Sequence, residues 1–356
     1  MRRFSAILLV TLLAACPDGT LVQAEDKSDD PATVDGDGGV QQTEDPPDAS
    51  TTPPVEMYTP EETVPEQVAD PRTGPPYPIV LAHGLNGFRD VGPLDYFFRV
   101  PAALEEAGHQ VFVTAVAPYN GSASRARLLA EQIDAILAQT GARKVNIIAH
   151  SQGGLDSRYL ISTLGYGDRI ATLTTVSTPH LGSAVADAIL DNEFPAELDI
   201  INGYASLFGA AAADAENDAD ARAALETLHT ANATAFNHAN PDDPRVVYFS
   251  FAGRTNLQRA DDECAGEWPN PDAVDGAEVA LLGTWTLLAG SLTEPKANDG
   301  LVTVASAKWG RFMGCIPADH LDEIGQIADL IPDLISGWDH VDFYRRWANE
   351  LRTMGY

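Results

Sequence analysis

Apolar residues follow two different spacings along residues 75–356. Continuous apolar runs, the pattern of strands buried on both faces of a sheet, occur at residues 77–82, 110–116, 144–149, 170–176 and 245–251, with a shorter candidate at 301–304. Between these runs, apolar side chains recur at helical spacing, most clearly at residues 122–139 and again at 340–353. The alternation predicts a mainly parallel sheet with helices on both faces.

One stretch, at about residues 183–241, departs from this alternation. It is rich in alanine and acidic residues, has weak helical periodicity and contains no clear strand. The stretch is predicted to be a helical lid inserted over a functional site. The alternative interpretation is a set of surface helices with no such role.

The first 24 residues have the composition of an export signal. Arg2 and Arg3 precede an apolar run over residues 4–15, which is too short to span a bilayer as a helix. The run ends in Leu-Ala-Ala before Cys16, which resembles the lipobox of bacterial lipoproteins, where the cysteine is lipidated and becomes the new N-terminus. The alternative is ordinary signal-peptidase cleavage after Ala24, where small residues stand at the required places.

Residues 25–74 are predicted to form a disordered acidic linker. They are rich in Asp, Glu, Pro, Thr and Gly and nearly lack large apolar side chains. Such a segment buries too little apolar surface to offset its ordering entropy, and its prolines keep it extended. The predicted organisation is therefore a signal at 1–24, a tether at 25–74 and one folded domain at 75–356.

The charge of the chain is strongly one-sided, with 52 acidic against 22 basic residues and a formal net charge of -30. Such a surface repels phosphate backbones, which argues against nucleic acid as a partner, and it favours solubility after export. Outside the signal the chain has two cysteines, Cys264 and Cys315. An even pair in an exported chain predicts a disulfide, with two buried free thiols as the alternative.

A candidate nucleophile, Ser151, stands in the sequence Ala-His-Ser-Gln-Gly directly after a predicted strand. The nucleophile elbow of hydrolases has the pattern Gly-x-Ser-x-Gly between a strand and a helix. Ala149 replaces the first glycine here, and a small residue meets the need of the tight turn. The start of the following helix offers backbone N–H groups and a positive dipole end to a developing oxyanion.

A second loop, beginning His83-Gly84-Leu85, follows the first predicted strand. The α/β-hydrolase fold needs a loop at this place for its second oxyanion donor, and glycines let the backbone approach a substrate. The backbone N–H groups of Leu85 and Gln152 are the predicted donors. His83 is predicted to brace the loop, because the base of such a site comes last in chain order.

Two downstream residues complete a candidate catalytic triad. Asp299 lies in a predicted turn and His320 in a predicted loop, and the order Ser151, Asp299, His320 is that of the α/β-hydrolases. His320 would take the proton of Ser151 and pass it to the leaving alcohol, while Asp299 would hold the tautomer of His320 and stabilise its imidazolium.

Four other residues compete for the roles of base and acid. His180 follows the nucleophile too closely in sequence to be the base. His340 begins the terminal helix pattern, which favours a packing or surface position for it. Asp156 and Asp322 are the rival acids.

Taken together, these segments resemble the bacterial triacylglycerol lipases of the Pseudomonas and Burkholderia type. The similar stretches are residues 77–87, 144–159, 176–183, 298–302 and 320–326. The resemblance implies an α/β-hydrolase fold, hydrolysis of long-chain glyceride esters, a mobile lid and a triad of Ser151, Asp299 and His320. Relatives often need a membrane-bound foldase, so the resemblance also raises a foldase as a partner.

The same resemblance implies one structural Ca²⁺ ion. In the family the ligands are an Asp two positions after the catalytic His, two backbone carbonyls further on, and an Asp shortly before a Leu-Gly pair. These positions match Asp322, Gln326, Leu330 and Asp275. Carboxylates and carbonyls are the ligands that calcium prefers. The disulfide departs from the family, whose second cysteine would fall at Ala305.

The favoured function from sequence is a lipase that acts on water-insoluble esters. A carboxylesterase or a polyester depolymerase would use the same triad, because chain-length preference depends on the shape of the pocket. A non-catalytic surface lipoprotein on the same scaffold is the remote alternative, and the complete triad with both oxyanion loops argues against it.

The mature N-terminus distinguishes the two export alternatives. We expect mass spectrometry of the membrane-associated protein to find a diacylglyceryl cysteine at position 16, because the apolar run ends there. The Cys16→Ser variant removes the acceptor thiol and should carry no lipid. A free N-terminus at Glu25 would contradict the lipid anchor.

Overall fold

The computed structural model describes residues 74–85, 90–91, 94–191, 219–255, 262–268, 276–278, 281–291, 295–326 and 337–356. The strands in this part of the chain are β1 (Ile79–Ala82), β2 (Asp90–Val91), β3 (Leu94–Asp95), β4 (Val111–Val113), β5 (Val145–His150), β6 (Ile170–Val176), β7 (Val247–Gly253) and β8 (Arg311–Ile316). Six of them form one parallel sheet in the order β4-β1-β5-β6-β7-β8, while β2 and β3 form a short antiparallel pair.

Helices cover both faces of the parallel sheet. They are α1 (Val100–Glu106), α2 (Ser122–Thr140), α3 (Gln152–Ser162), α4 (Ala184–Leu190), α5 (Ala219–Leu228), α6 (Thr230–Ala239), α7 (Leu282–Ala289), α8 (Val304–Ala307) and α9 (His340–Thr353). Side chains alternate along each strand, so Ile79 and Leu81 pack with α1 and α9 while Val80 and Ala82 pack with α2 and α3. Both faces of β1 are therefore core.

The terminal helix α9 is fixed to the sheet by Trp347. Its ring is fully buried and packs edge to face on Phe249 and Phe251 of β7. Its Nε1–H donates to Thr174 Oγ1 of β6 over 2.9 Å, so the polar end of the indole is satisfied inside the core. Asp339 is the N-cap of the helix, and its side chain accepts the N–H of Asp342. Helix α9 thus packs against β6 and β7, two of the strands whose carboxyl ends lead into the site.

The strand order reverses between β1 and β5. From β1 the chain adds β4 on one side of the sheet, and it then returns to add β5 to β8 on the other side. In open parallel sheets, a crevice forms at such a reversal, outside the carboxyl ends of the strands. The loops that follow β1 and β5 leave the sheet at this crevice, and they carry Gly84 and Ser151.

Most predicted elements lie where the sequence placed them, but the strand candidate at 301–304 is wrong. Leu301 and Val302 form a turn, and α8 begins at Val304. The cause is Asp299, whose Oδ1 accepts the N–H groups of Leu301 and Val302 over 2.8 and 2.6 Å and so removes them from a strand ladder. Strand β8 was not predicted, because its apolar run is broken by Gly314, a residue with a φ of 135°.

The stretch that the sequence singled out as a lid contributes α4, α5 and α6 to the described residues, and positions 192–218 lie outside them. The apolar side of α5 packs through Leu225 and Leu228 on Leu85 and Leu155. Cys264 and Cys315 are joined by a disulfide, which ties the segment 262–268 to the end of β8. Within the described ranges, the helices are all too short or too polar to cross a bilayer.

Some sequence predictions fall outside the described residues. The export signal with Cys16, nearly all of the linker at 25–74, and the calcium ligands Asp275 and Leu330 are among them.

Candidate active site

Ser151 lies at the junction of β5 and α3 with a φ of 56° and a ψ of -132°. A positive φ is unfavourable for any residue with a Cβ and is kept only where neighbours impose it. Here the Ser151 N–H donates to Val176 O over 2.9 Å, and Thr178 Oγ1 donates to Ser151 O over 2.7 Å. Helix α3 starts at the next residue, so its N-terminus lies beside the serine. This is the backbone geometry of a nucleophile elbow.

Close backbone packing explains the glycines around the elbow. A Cβ on Gly153 would lie 2.6 Å from Ala82 O and 2.7 Å from His83 O. A Cβ on Gly84 would lie 2.6 Å from Ser151 Cβ. The loop after β1 and the turn after β5 therefore touch backbone to backbone at the nucleophile, a contact that larger residues would prevent.

Asp299 and His320 form a buried pair at the carboxyl end of the sheet. Asp299 Oδ2 and His320 Nδ1 are 2.8 Å apart, and the His320 N–H donates to Asp299 O over 3.0 Å. Because Nδ1 is bonded to the carboxylate, Nε2 is the ring nitrogen left for proton transfer. The His320 ring lies 4.5 Å from the ring of His150, the residue directly before Ser151. The fold thus brings the three predicted triad residues to one place.

Arg125, fully buried on α2, holds the loop after β1. Its Nη2 donates to His83 O over 2.8 Å and to Gly84 O over 3.0 Å. Its Nε donates to Asp156 Oδ2 over 2.7 Å. Asp156 was a rival acid for the triad, and the structure instead commits it to Arg125. Because a peptide unit is planar and trans, a Gly84 carbonyl drawn toward Arg125 directs the Leu85 N–H of the same unit to the opposite side.

The two predicted oxyanion donors flank the nucleophile. Gln152 is the first residue of α3, and its backbone N–H directly follows Ser151 along the chain. Its side chain is held away by a hydrogen bond to Asn120 O over 2.8 Å. Leu85 directly follows Gly84, the residue that abuts Ser151. The pairing of one N–H after the nucleophile with one from the loop after β1 is the arrangement that this fold uses for an oxyanion.

The other buried histidines near the site are engaged in structural bonds. His83 Nδ1 bonds to Gly84 O over 2.9 Å and its Nε2 accepts the Val116 N–H over 3.1 Å, while burial, with Arg125 as a second cause, lowers the pKa of His83 to about 4. His180 bonds to Thr175, and burial lowers its pKa well below the ordinary value. His340 Nε2 bonds to Phe98 O over 2.9 Å. A neutral, doubly bonded His83 braces its loop.

Beside the triad lies a chain of buried polar side chains that the sequence did not predict, made of Tyr96, His150, Glu323 and Ser177. Burial raises the pKa of Glu323 well above its ordinary value, and the neighbouring Asp299 carboxylate raises it further. Burial also lowers the pKa of His150 and raises that of Tyr96. His150 and Glu323 do lie within the recognised motifs, but nothing in a single sequence pairs them with a tyrosine 54 positions upstream of His150.

Asp322 and Gln326 lie on the loop that follows His320. Asp322 is buried and begins a 3₁₀ turn, Asp322–Ile324. Asp319 precedes this turn, and its Oδ1 accepts the N–H groups of Leu321 and Asp322 over 2.8 and 3.0 Å. Burial raises the pKa of Asp319 to about 6.

The second oxygen of Asp319 accepts the Glu278 N–H over 2.7 Å. The bond joins Glu278, which follows Asp275 by three residues, to Asp319, which precedes Asp322 by three residues. A buried carboxylate and a backbone carbonyl are donor types that calcium accepts, and Asp322 and Gln326 are the members of the predicted calcium set that lie among the described residues.

Comparison with known proteins agrees with this geometry. A family model of the alpha/beta hydrolase fold matches residues 77–270. The triacylglycerol lipase of Vibrio cholerae is 31% identical, over 78% of this chain and 88% of that protein. The triacylglycerol lipase of Burkholderia plantarii is 29% identical, over 81% of this chain and 89% of that protein. The crystal structure of Staphylococcus hyicus lipase shares the fold with a TM-score of 0.55 at 16% identity, over 80% of this chain and 97% of that chain.

A fluorophosphonate probe should label this protein at Ser151, because the elbow exposes the hydroxyl to a neighbouring base and to oxyanion donors. Peptide mapping by mass spectrometry identifies the labelled residue. The Ser151→Ala variant should lose the label, and Ser162→Ala, at the other end of the same helix, should keep it. Labelling of Ser151→Ala at the wild-type rate would show that another residue is the nucleophile.

Proposed function

The chain belongs to the α/β-hydrolase family and is a carboxylic ester hydrolase, and we propose that it is a triacylglycerol lipase that cleaves acylglycerol esters through an acyl-enzyme on Ser151. The observation that carries the proposal is the buried Asp299–His320 pair at 2.8 Å beside a serine on a strained elbow. Relatives named triacylglycerol lipases, matched over most of their length, favour this proposal over the non-catalytic surface lipoprotein.

The first half-reaction follows from the positions of these groups. Ser151 Oγ attacks the ester carbonyl carbon while His320 Nε2 takes its proton, and the Asp299 carboxylate stabilises the imidazolium through Nδ1. The carbonyl oxygen becomes an oxyanion that the N–H groups of Leu85 and Gln152 bind. The carbon–oxygen bond to the alcohol then breaks, and His320 returns the proton to the leaving alcohol oxygen.

The second half-reaction uses the same groups with water as nucleophile. His320 takes a proton from water, whose oxygen attacks the acyl carbon. Collapse of the second oxyanion releases the fatty acid, and the proton on His320 returns to Ser151 Oγ. The pair needs no rearrangement between the two steps, because Asp299 holds the same tautomer throughout.

Apolar residues next to the oxyanion loop support the proposed preference for esters of long acyl chains. Leu85 packs with Leu155, Leu225 and Leu228 in a cluster that α5 covers. Apolar surroundings beside an oxyanion donor suit a long acyl group better than polar surroundings would. The region at about 183–241 supplies that cover and is proposed as the lid.

Location and partners belong to the proposal as well. The export signal at 1–24, with Cys16 in a lipobox-like sequence, and the acidic stretch at 25–74 support an exported enzyme, which is anchored by lipid or released. The foldase partner is proposed only on the resemblance of the sequence. A net charge of -30 favours an extended tether and solubility of the folded domain.

We further propose one structural calcium ion held by Asp275 and Asp322 with the carbonyls of Gln326 and Leu330. The support is the burial of Asp322 and the bond from the Glu278 N–H to Asp319. An ion there would fix the loop that begins at His320 and supply two positive charges beside buried carboxylates.

Ester substrates of graded solubility test the proposed activity. We expect hydrolysis of tributyrin and of an olive-oil emulsion, with a sharp rise in rate above the solubility limit if the lid opens at an interface. The Ser151→Ala variant should lose about six orders of magnitude in turnover and stay folded. Hydrolysis of only short p-nitrophenyl esters, with smooth saturation through the solubility limit, would indicate a lidless esterase.

Calcium removal should loosen the catalytic loop before it unfolds the sheet, because Asp322 lies two residues from His320. At a hundred times its dissociation constant, an ion that binds only the folded state stabilises it by about 2.7 kcal/mol. We expect a chelator to lower both Tm and activity of the wild type, and Asp322→Ala to show both losses with little further response. Asp168→Ala, an exposed carboxylate, is the matched control. An unchanged Tm and activity with no bound metal would remove the ion from the proposal.

A further inference from the structure

Four buried side chains connect the loops of the candidate site, and we call them the tyrosine chain: Tyr96, His150, Glu323 and Ser177. Tyr96 Oη shares a hydrogen bond of 2.8 Å with His150 Nδ1, and His150 Nε2 lies 2.9 Å from Glu323 Oε2. Ser177 Oγ donates to Glu323 Oε1 over 2.5 Å. Each of the four is at least 94% buried, with Tyr96 at 6% relative exposure and the others at 1% or less.

Tyr96, the first member of the tyrosine chain, contacts the oxyanion loop. The Gly84 N–H donates to Tyr96 Oη over 3.1 Å. A Cβ on Gly84 would lie 3.0 Å from that oxygen and 3.1 Å from Ser151 Oγ. Gly84 therefore touches the tyrosine hydroxyl and the nucleophile at once, and the Leu85 N–H is the next donor along the backbone.

The last members end at the loop of the catalytic base. Glu323 follows His320 by three residues. Its carboxylate packs on Gly253 so closely that a Cβ at that position would lie 1.9 Å from Glu323 Oε1. The Gly253 N–H donates to Ser177 Oγ over 2.9 Å. Ser177 has a φ of 47°, so its backbone is strained where it holds the carboxylate. A second link joins the same parts, because the Phe98 N–H donates to Ile324 O over 3.0 Å.

We propose that Tyr96 is a positioning residue for the oxyanion loop, and that His150, Glu323 and Ser177 fix its hydroxyl in turn. The chain sets the place of the Leu85 N–H relative to Ser151 and to the base loop. This inference rests on the proposed ester hydrolysis. Tyr96 acts through Gly84, and the chemistry stays with Ser151, Asp299 and His320.

The physical reason is that all four side chains are buried, so a group that loses its partner there regains no hydrogen bond from bulk solvent. Without the tyrosine hydroxyl, the Gly84 N–H and His150 Nδ1 both lose the partner described here inside the core. The loop then shifts to find other bonds, and displacement of the donor weakens its stabilisation of the oxyanion more than it weakens substrate binding. The effect therefore falls on the transition state.

The Tyr96→Phe variant tests this with p-nitrophenyl butyrate as substrate and phenylboronic acid as a tetrahedral inhibitor. We expect kcat to fall about tenfold, less than the factor of 10² or more for deletion of a whole oxyanion donor. KM should change less than twofold, and the inhibition constant of the boronic acid should weaken by about the same factor as kcat.

Tyr248→Phe is the matched control, because the Tyr248 hydroxyl also accepts a backbone N–H, that of Asp243, over 2.9 Å. Tyr248 lies at the start of β7, at the opposite end of the sheet from the site. Both variants should lose thermal stability, and only Tyr96→Phe should lose kcat. Equal losses of Tm with an unchanged kcat in Tyr96→Phe would overturn the positioning role. An inactive wild type would instead overturn the proposed function.

A double variant tests whether the chain acts as a unit. Glu323→Gln keeps the size of the side chain and changes one acceptor oxygen to a donor. If the four side chains of the tyrosine chain act together, the double variant Tyr96→Phe, Glu323→Gln should have a kcat close to that of the less active single variant. Independent, multiplying losses would show that Tyr96 is not held through Glu323.

Discussion

The site depends on one close contact, between the loop after β1 and the turn after β5. Neighbouring strands of a parallel sheet lie about 4.8 Å apart, so two loops that leave adjacent strands compete for little space. Gly84 and Gly153 yield that space, and Ser151 takes a strained backbone within it. Three hydrogen bonds from Arg125, to Asp156, His83 and Gly84, keep the loop from moving away. Removing one partner of such a buried ion pair costs about 3–5 kcal/mol.

Burial then decides which titratable groups remain available for chemistry. His83, His150 and His180 all lose affinity for a proton in the dry interior, so they serve as neutral hydrogen-bonding groups. His150 also faces a carboxyl group, that of Glu323, but burial and the neighbouring Asp299 raise the pKa of that carboxyl and so favour its neutral form. The partner of His320 is Asp299, whose other oxygen accepts two backbone N–H groups. A base that takes up a proton needs a negatively charged neighbour, so the carboxyl partner of each ring, rather than its depth, distinguishes His320 from His150.

The sequence was most informative where one physical requirement produces one pattern. Strands buried on both faces need continuous apolar runs, which located β1, β5, β6 and β7 within a few residues. The elbow needs small residues around a serine, which located Ser151. Prediction failed at residues 301–304, where the side chain of Asp299 outcompetes strand formation, and at β8, where Gly314 interrupts the run. The tyrosine chain was out of reach, because its members meet only after the sheet has brought three separate loops together.

The stretch between α4 and α5 connects two helices whose positions are already fixed. Ser183, at the start of α4, donates to Leu301 O over 2.7 Å, and the described part of α5 packs on Leu85 and Leu155. Beyond α5, Asn237 of α6 accepts from Arg158 over 2.6 Å. Lengthening the chain between two fixed points costs little free energy. A change in the number of residues between Asp191 and Ala219 should therefore leave the triad in place, because Ser151, Asp299 and His320 all lie outside that stretch of the sequence.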